Sequence, residues 1–303
     1  MPFAAVVDGY VDVLGVEKTG TVMSCRPVVS QAEGAEHSEI IGLPPFPVQI
    51  ASTESGGFAL YADGSLWSWG LRASGQLGRL GDAKVTAEFA TPARINGLAP
   101  VTALAAGHAH VLALDRNGKV WTWGANGAGQ LGNGQLASCA LPAQVKLSVR
   151  IVRVAAGDTH SFAIDGLGRV WGWGSNNFGQ VGNTVDEKLA GKYFTTPQRI
   201  KTGFPVAQID AGMFYSVATS SHGDVFAWGW NGMGQLGRDG LDFSAQPLPL
   251  KKLKNITRVA AGMGHVLALN DAGVCAWGDN RSSACGVFPS VQVQLQPNPV
   301  SFV

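Results

Sequence analysis

Three histidines, His110, His160 and His265, each stand three residues after a glycine and open a short apolar run. Three imidazoles with an open fourth position are a familiar zinc site. Here, however, Tyr215, Gly56 and Asp12 stand at the same place in sister copies of the pattern. A slot that accepts tyrosine is a packing and hydrogen-bonding slot, so the histidines are read as structural and no metal is expected. The Gly-Gln-(Leu/Val)-Gly segments around Gln76, Gln130, Gln180 and Gln235 have the glycine content of a phosphate-cradling loop. Such a loop needs a helix N-terminus or a lysine behind it, and neither follows. They are read as tight turns whose glutamine bonds the backbone, and no cofactor is expected. Asp8, Asp115, Asp165 and Asp271 sit in or near turns, and nothing in the sequence pairs them for acid–base work. With no Gly-x-Ser-x-Gly elbow and no His-Glu-x-x-His, the chain is read as non-enzymatic.

The elements that carry these residues repeat. The stretch Val101 to Gly132 holds three strand-like runs with turns between them and a glycine-rich tail. Gly-bounded runs of β-branched and aromatic residues read as antiparallel strands, and Asn117-Gly118 is a hairpin signal. Copies are anchored at Gly20, Gly64, Gly118, Gly168, Gly223 and Gly273, about fifty residues apart. After each glycine comes a Val-Trp-x-Trp-like run with paired positions: Trp67/Trp69, Trp121/Trp123, Trp171/Trp173, Phe226/Trp228 and Cys275/Trp277, with Met23 and Cys25 in the degenerate first copy. A period of this length with several strands per period is the mark of a β-propeller. The prediction is an all-β fold: one propeller domain over residues 1–303, six four-stranded antiparallel blades and almost no helix. A seventh blade in the first fifty residues is the alternative. The units run over about 4–48, 49–100, 101–150, 151–205, 206–255 and 256–303. Pro-x-x-aliphatic segments at Pro92, Pro142, Pro197, Pro247 and Pro299 read as outer strands, where a missing N–H can face away from the ladder. Residues 30–47, acidic and proline-rich, read as a loop.

Composition narrows the partners. Lys and Arg number 22 against 21 Asp and Glu, a net charge of +1 with no basic block. Nucleic acid as main partner is therefore not expected. The Lys251-Lys252-Leu253-Lys254 run reads as a solvated loop. No apolar run approaches the ~18 residues that a membrane helix needs. The N-terminus carries Asp8 and Asp12 and no basic n-region. A cytoplasmic location is the expectation, with signal-independent secretion as the alternative. The four cysteines form no Cys-x-x-Cys pair, and Cys25 and Cys275 read as buried thiols at aromatic places.

The pattern Ala-Ala-Gly-x-x-His-x-x-Ala-Leu, then Gly-x-Val-Trp-x-Trp-Gly-x-Asn-x-x-Gly-Gln-Leu-Gly, resembles the repeat of the regulator of chromosome condensation family. Units three to five carry it nearly intact, units two and six in part. The resemblance implies a propeller, usually seven-bladed. It also implies a range of functions: exchange factors for Ran-type GTPases, an inhibitor that clamps β-lactamases, and domains that grip other proteins. Fold alone does not choose among them.

The informative residues are those that do not repeat. In a four-stranded blade the first and third turns open on one face. That face should display His108, Asp158, Met213, Phe214 and Met263 from the first turns. From the third turns it should display Leu71, Arg72, Asn126, Asn176, Asn177, Phe178, Trp230, Asn231, Met233 and Arg281. Sister units mostly hold small residues where Phe178, Phe214, Trp230 and Met233 stand. Aromatics and methionine with arginine are the composition of protein-interface hot spots. Packing between blades is the competing reading. A second candidate is the segment 188–196, with Tyr193 and Phe194, as a protruding wedge or a rim cap. The favoured function is a monomeric, non-enzymatic binder of a partner protein, such as an enzyme it blocks. The alternative is a guanine-nucleotide exchange factor for a small GTPase.

Overall fold

The computed structural model describes residues 3–7, 13–26, 36–71, 74–80, 89–183, 192–286 and 291–300. These form six four-stranded antiparallel sheets, each built from strands consecutive in the chain, and no α-helix occurs among the described residues. We number them blades I to VI. Blade III, for instance, runs Val101–Ala106, His110–Asp115, Val120–Gly124 and Cys139–Gln144. Blade V runs Val206–Ala211, Tyr215–Ser220, Val225–Trp230 and Phe243–Pro249. Among the described residues no seventh sheet appears. Nor is any helix among them long and apolar enough to cross a membrane.

The strands form where the repeat places them. All six anchoring glycines adopt positive φ, between +73° and +133°, the backbone that a tight hairpin turn asks of them. Second strands such as His110–Asp115 and His160–Asp165 are buried along their whole length. That explains their continuous apolar run in place of an alternation. In the third strands the two aromatic places differ. Trp123, Trp173, Trp228 and Trp277 are fully buried, while Trp121, Trp171, Phe226 and Cys275 are half-buried. Cys275 is thus a partly exposed free thiol, not a core one, and Cys285 is the buried thiol. The Cys25 side chain lies outside the described set.

Two outer strands correct the reading of the sequence. Glu36–Glu39 forms the outer strand of blade I, inside the stretch read as a loop. Its composition hid it: an edge strand with only one paired side tolerates charge on every residue. In blade VI the closing segment is Pro297 to Val300, not Pro299 to Phe302. Val300 N–H donates to Val274 O, as Val145 does to Val120 O and Leu250 to Val225 O. The second proline, two residues on, misled the alignment. The prolines of blades II to V lie inside their outer strands, at the register shift opposite the third strand. A bulge tolerates the missing N–H there.

The chain divides into two compact units. The first comprises Met1–Gly127 and Leu136–Val145; the second comprises Ala128–Gln135 and Lys146–Val303. In the first, Leu14, Val16 and Val22 of blade I pack with Ile50, Ala59 and Trp69 of blade II. Phe58, Leu60 and Leu66 of blade II pack with Val101, Val111 and Trp123 of blade III. In the second, Tyr215, Val217 and Val225 of blade V meet Val259, Val266 and Trp277 of blade VI.

Candidate functional site

The repeated residues form a scaffold, and recognising their roles isolates what is left over. Each motif glutamine folds back on its own turn. Gln180 Oε1 accepts from Phe178 N–H at 3.0 Å and Gln235 Oε1 from Met233 N–H at 2.8 Å. The same glutamine's main-chain carbonyl takes the indole N–H of the following blade. Trp123 donates to Gln76 O (2.7 Å), Trp173 to Gln130 O (2.8 Å), Trp228 to Gln180 O (2.8 Å) and Trp277 to Gln235 O (2.9 Å). A buried indole needs such an acceptor. The glycines flanking the glutamine let the turn come close enough to supply it, for an added Cβ at Gly132 would lie 2.8 Å from the Trp173 Nε1.

The histidine slot is likewise structural. Ser216 Oγ donates to Gln180 O, which leaves its oxygen to accept from His160 Nε2 at 3.0 Å. Tyr215 hydroxyl spans to blade VI, within bonding distance of Gly262 O (3.0 Å) and His265 O (2.5 Å). Burial drives His110 down to about 3, with His108 nearby adding to the fall, so its imidazole is neutral at physiological pH. Burial pushes the Tyr215 phenol well above its ordinary range.

The asparagine two residues after the third-strand tryptophan-glycine is a staple. Asn231 Oδ1 accepts from Leu236 N–H (2.9 Å), and its Nδ2 donates to Arg238 O (2.9 Å) and Leu241 O (2.7 Å). Asn176 and Asn280 hold Val181 and Cys285 in the same way. Asn231 and Asn126 are therefore buried rather than displayed on the face. The sequence placed them by turn position, without seeing that a wide turn needs a side chain to fill its own centre.

What remains is an aromatic cluster in the second unit. Phe178 from the third turn of blade IV lies 5.4 Å from Phe214 and 6.2 Å from Trp230, ring centre to ring centre. Phe214, from the first turn of blade V, meets Trp230 edge-to-face at 6.1 Å. All three are half-buried. They shield one another and still present surface, so the interface and packing readings both hold in part. Trp230 main-chain N–H donates to Phe214 O (2.9 Å), but among the described residues its indole N–H has no acceptor, unlike the four scaffold indoles. The backbone makes room for the ring: an added Cβ at Gly232 would fall 2.1 Å from the Trp230 indole.

The patch extends toward blade VI. Met213 N–H donates to Met263 O (3.3 Å), tying the two first turns together. Met263 is 52% exposed. Half-buried Met233 borders the Gly264 turn, which also touches Asp279. The Asp279 carboxyl is held below its ordinary range chiefly by its bonds from Arg281, 2.6 Å away at the shortest. Asp158, half-buried, donates its N–H to Gly212 O (3.1 Å), and Asn177 is exposed. Phe243, paired across the strands with Trp230 and 54% exposed, joins the patch. Sequence reasoning missed it because its place depends on outer-strand register, which the bulge at the proline shifts.

The other expected residues fall elsewhere. His108 is in the first unit and pairs with Glu54 at 3.0 Å. Arg72 lies outside the described residues, as do 188–191 of the second candidate segment. Phe194 is buried on the outer strand of blade IV, opposite Gly174, so it is no wedge. Tyr193, beside it, is exposed.

Comparison with known proteins gives one consistent result. Residues 4–303 match the model of the RCC1-like domain. The chain is 33% identical over 279 residues to the probable E3 ubiquitin-protein ligase HERC6 of Homo sapiens, covering 85% of this chain and 21% of that protein. It is 28% identical over 284 residues to the ultraviolet-B receptor UVR8 of Arabidopsis thaliana, covering 91% of this chain and 61% of the receptor. It thus spans less than two thirds of either relative. Among solved structures, human WBSCR16 aligns with a TM-score of 0.85 at 21% identity, over 100% of this chain and 83% of that one. Yeast RCC1 (Prp20), in its complex with Kap60, aligns with a TM-score of 0.82 at 24% identity, over 99% and 75%. The fold is the β-propeller of RCC-type repeats, with six four-stranded antiparallel blades.

Proposed function

Because the chain belongs to the RCC1-like domain family, we propose that it is a non-enzymatic binding propeller whose partner protein docks on the cluster of Phe178, Phe214 and Trp230. The observation that carries this reading is the cluster itself. Three half-buried rings from two blades converge at positions where sister blades mostly hold small residues, and among the described residues the Trp230 indole N–H has no acceptor. Rigid aromatic rings lose little conformational entropy on docking, and an unpaired indole N–H offers a directional bond. Met213, Met233 and exposed Met263 extend the patch with adaptable apolar surface, rimmed by the Asp279–Arg281 pair. Relatives lend support: a yeast relative was solved bound to Kap60, and another structure of it is described together with its binding properties to Gsp1p and histones.

The test is capture from the native host's lysate with wild type and a Phe178→Ala/Phe214→Ala/Trp230→Ala variant of verified fold. A partner held by wild type and lost by the variant is the expected result. Equal capture by both refutes the cluster as the site. Where the captured partner is a small GTPase, nucleotide-release kinetics distinguish exchange from simple binding. Where it is an enzyme, its inhibition does.

A further inference from the structure

The second unit also holds a cavity of about 820 Å³, away from the aromatic turns. Its walls include the early residues of the inner strands Ile151–Ala156, Val206–Ala211 and Arg258–Ala261, whereas Phe214 and Met263 follow the far ends of such strands. One repeat slot, four residues before the glycine of the first turn, supplies much of its polar lining: Arg153 in blade IV, Gln208 in blade V and Arg258 in blade VI. In blades IV and V the strand register shifts immediately before this slot. Such bulges re-aim the side chain that follows.

Where the slot holds glutamine, its scaffold role is plain. Gln208 Nε2 donates to Val259 O (3.0 Å) and its Oε1 accepts from Val259 N–H (3.3 Å), which joins neighbouring inner strands. Gln49 does the same with Leu104 in the first unit, at 2.7 and 3.0 Å. Arginine cannot take that role, because a guanidinium has donors and no acceptor. Among the described residues Arg153 and Arg258 have no side-chain hydrogen bond and no ion pair, and both are exposed. Among the described residues no Asp or Glu lines the cavity, although the Asp224 carboxylate accepts from the Ser220 hydroxyl on its wall (3.3 Å). Thr219, largely buried, also lines the wall and makes no side-chain hydrogen bond among the described residues. Neither hydrogen bonds nor ion pairs among the described residues account for two arginines lining one cavity.

We propose that this cavity binds a small organic phosphate, gripped by Arg153 and Arg258 with Thr219 beside them. The planar guanidinium presents parallel N–H groups that match phosphate oxygens two at a time. Val259, Leu267 and Ala268 offer apolar wall for the uncharged body of the ligand. The volume falls within the range of small-molecule sites, roughly 300–1,000 Å³, and suits a compact ligand better than a polypeptide tail.

The test is calorimetric titration of the full chain with pyrophosphate and with ADP at low salt. Saturable binding of both is expected. Arg153→Gln and Arg258→Gln install the residue this slot already holds in blades II and V, so the fold should keep its melting temperature. Each should weaken binding by about tenfold, and the double variant should abolish it. Absence of saturable binding of either probe at millimolar concentration overturns the proposal. So does binding that the double variant leaves unchanged, or an acidic peptide that binds more tightly than ADP and is lost in the same variant.

Discussion

Trp228 and Trp230 stand two residues apart on one strand and belong to different parts of the molecule. Trp228 is fully buried, and its N–H is taken by Gln180 O. Trp230 is half-buried and lies against Phe178 and Phe214, and its indole N–H has no acceptor among the described residues. Gly229 separates them with φ of +101°, and an added Cβ there would lie 2.5 Å from Phe214 O. The left-handed residue breaks the strand's alternation and turns the second indole out of the blade. The pair teaches that residue type does not assign role here. Recurrence marks the scaffold, and departure from recurrence marks the surface free to bind.

That contrast can be broken by substitution. Trp228→Ala should cost about 3–5 kcal/mol, the range for removing a buried tryptophan, and lower the melting temperature sharply; a small shift would place Trp228 outside the scaffold. The next effect in size is pH-dependent. Asp210 bridges inner strands of blades V and VI, accepting from Ala211 and Ala261 N–H, and burial pushes its carboxyl up to about 6 despite those bonds. The folded state therefore holds this proton more tightly than the unfolded chain, whose carboxyl has the ordinary value of 3.8. The stability this contributes is full below that value and is lost as pH rises through about 6, up to about 3 kcal/mol. Asp210→Asn should remove that fall, read by denaturant melts at pH 4 and pH 7; an unchanged pH profile would deny the burial of the carboxyl. Asn231→Ala deletes three bonds of the third-turn staple and should destabilise by about 2 kcal/mol, whereas exposed Asn177→Ala should stay within ~0.5 kcal/mol. Equal losses at the two positions would undo the division between staple and surface. Trp230→Ala should cost about 1 kcal/mol or less and yet lose partner capture.

The scaffold was legible because it repeats. Six copies of the hairpin glycine, four of them followed by an aromatic pair, mark the blade number, and Tyr215 in the histidine place marks that place as structural. The acidic edge strand Glu36–Glu39 was not legible, since an outer strand carries no apolar period. Asn231 and Phe194 were misplaced for a related reason. A turn position tells which end of the blade a residue occupies, but not whether its side chain points out or fills the turn. The convergence of Phe178 and Phe214 on Trp230 lay beyond the sequence too, because neighbouring blades bring together residues 36 and 52 positions from Phe178.

The most direct test is side-chain footprinting of the full chain, free and with its captured partner bound. Protection of Phe178, Phe214 and Trp230, with Trp228 silent in both states, is the predicted result. Unchanged labelling of the three rings, with protection at Tyr193 or at the hairpin glycine ends of the blades instead, would contradict it.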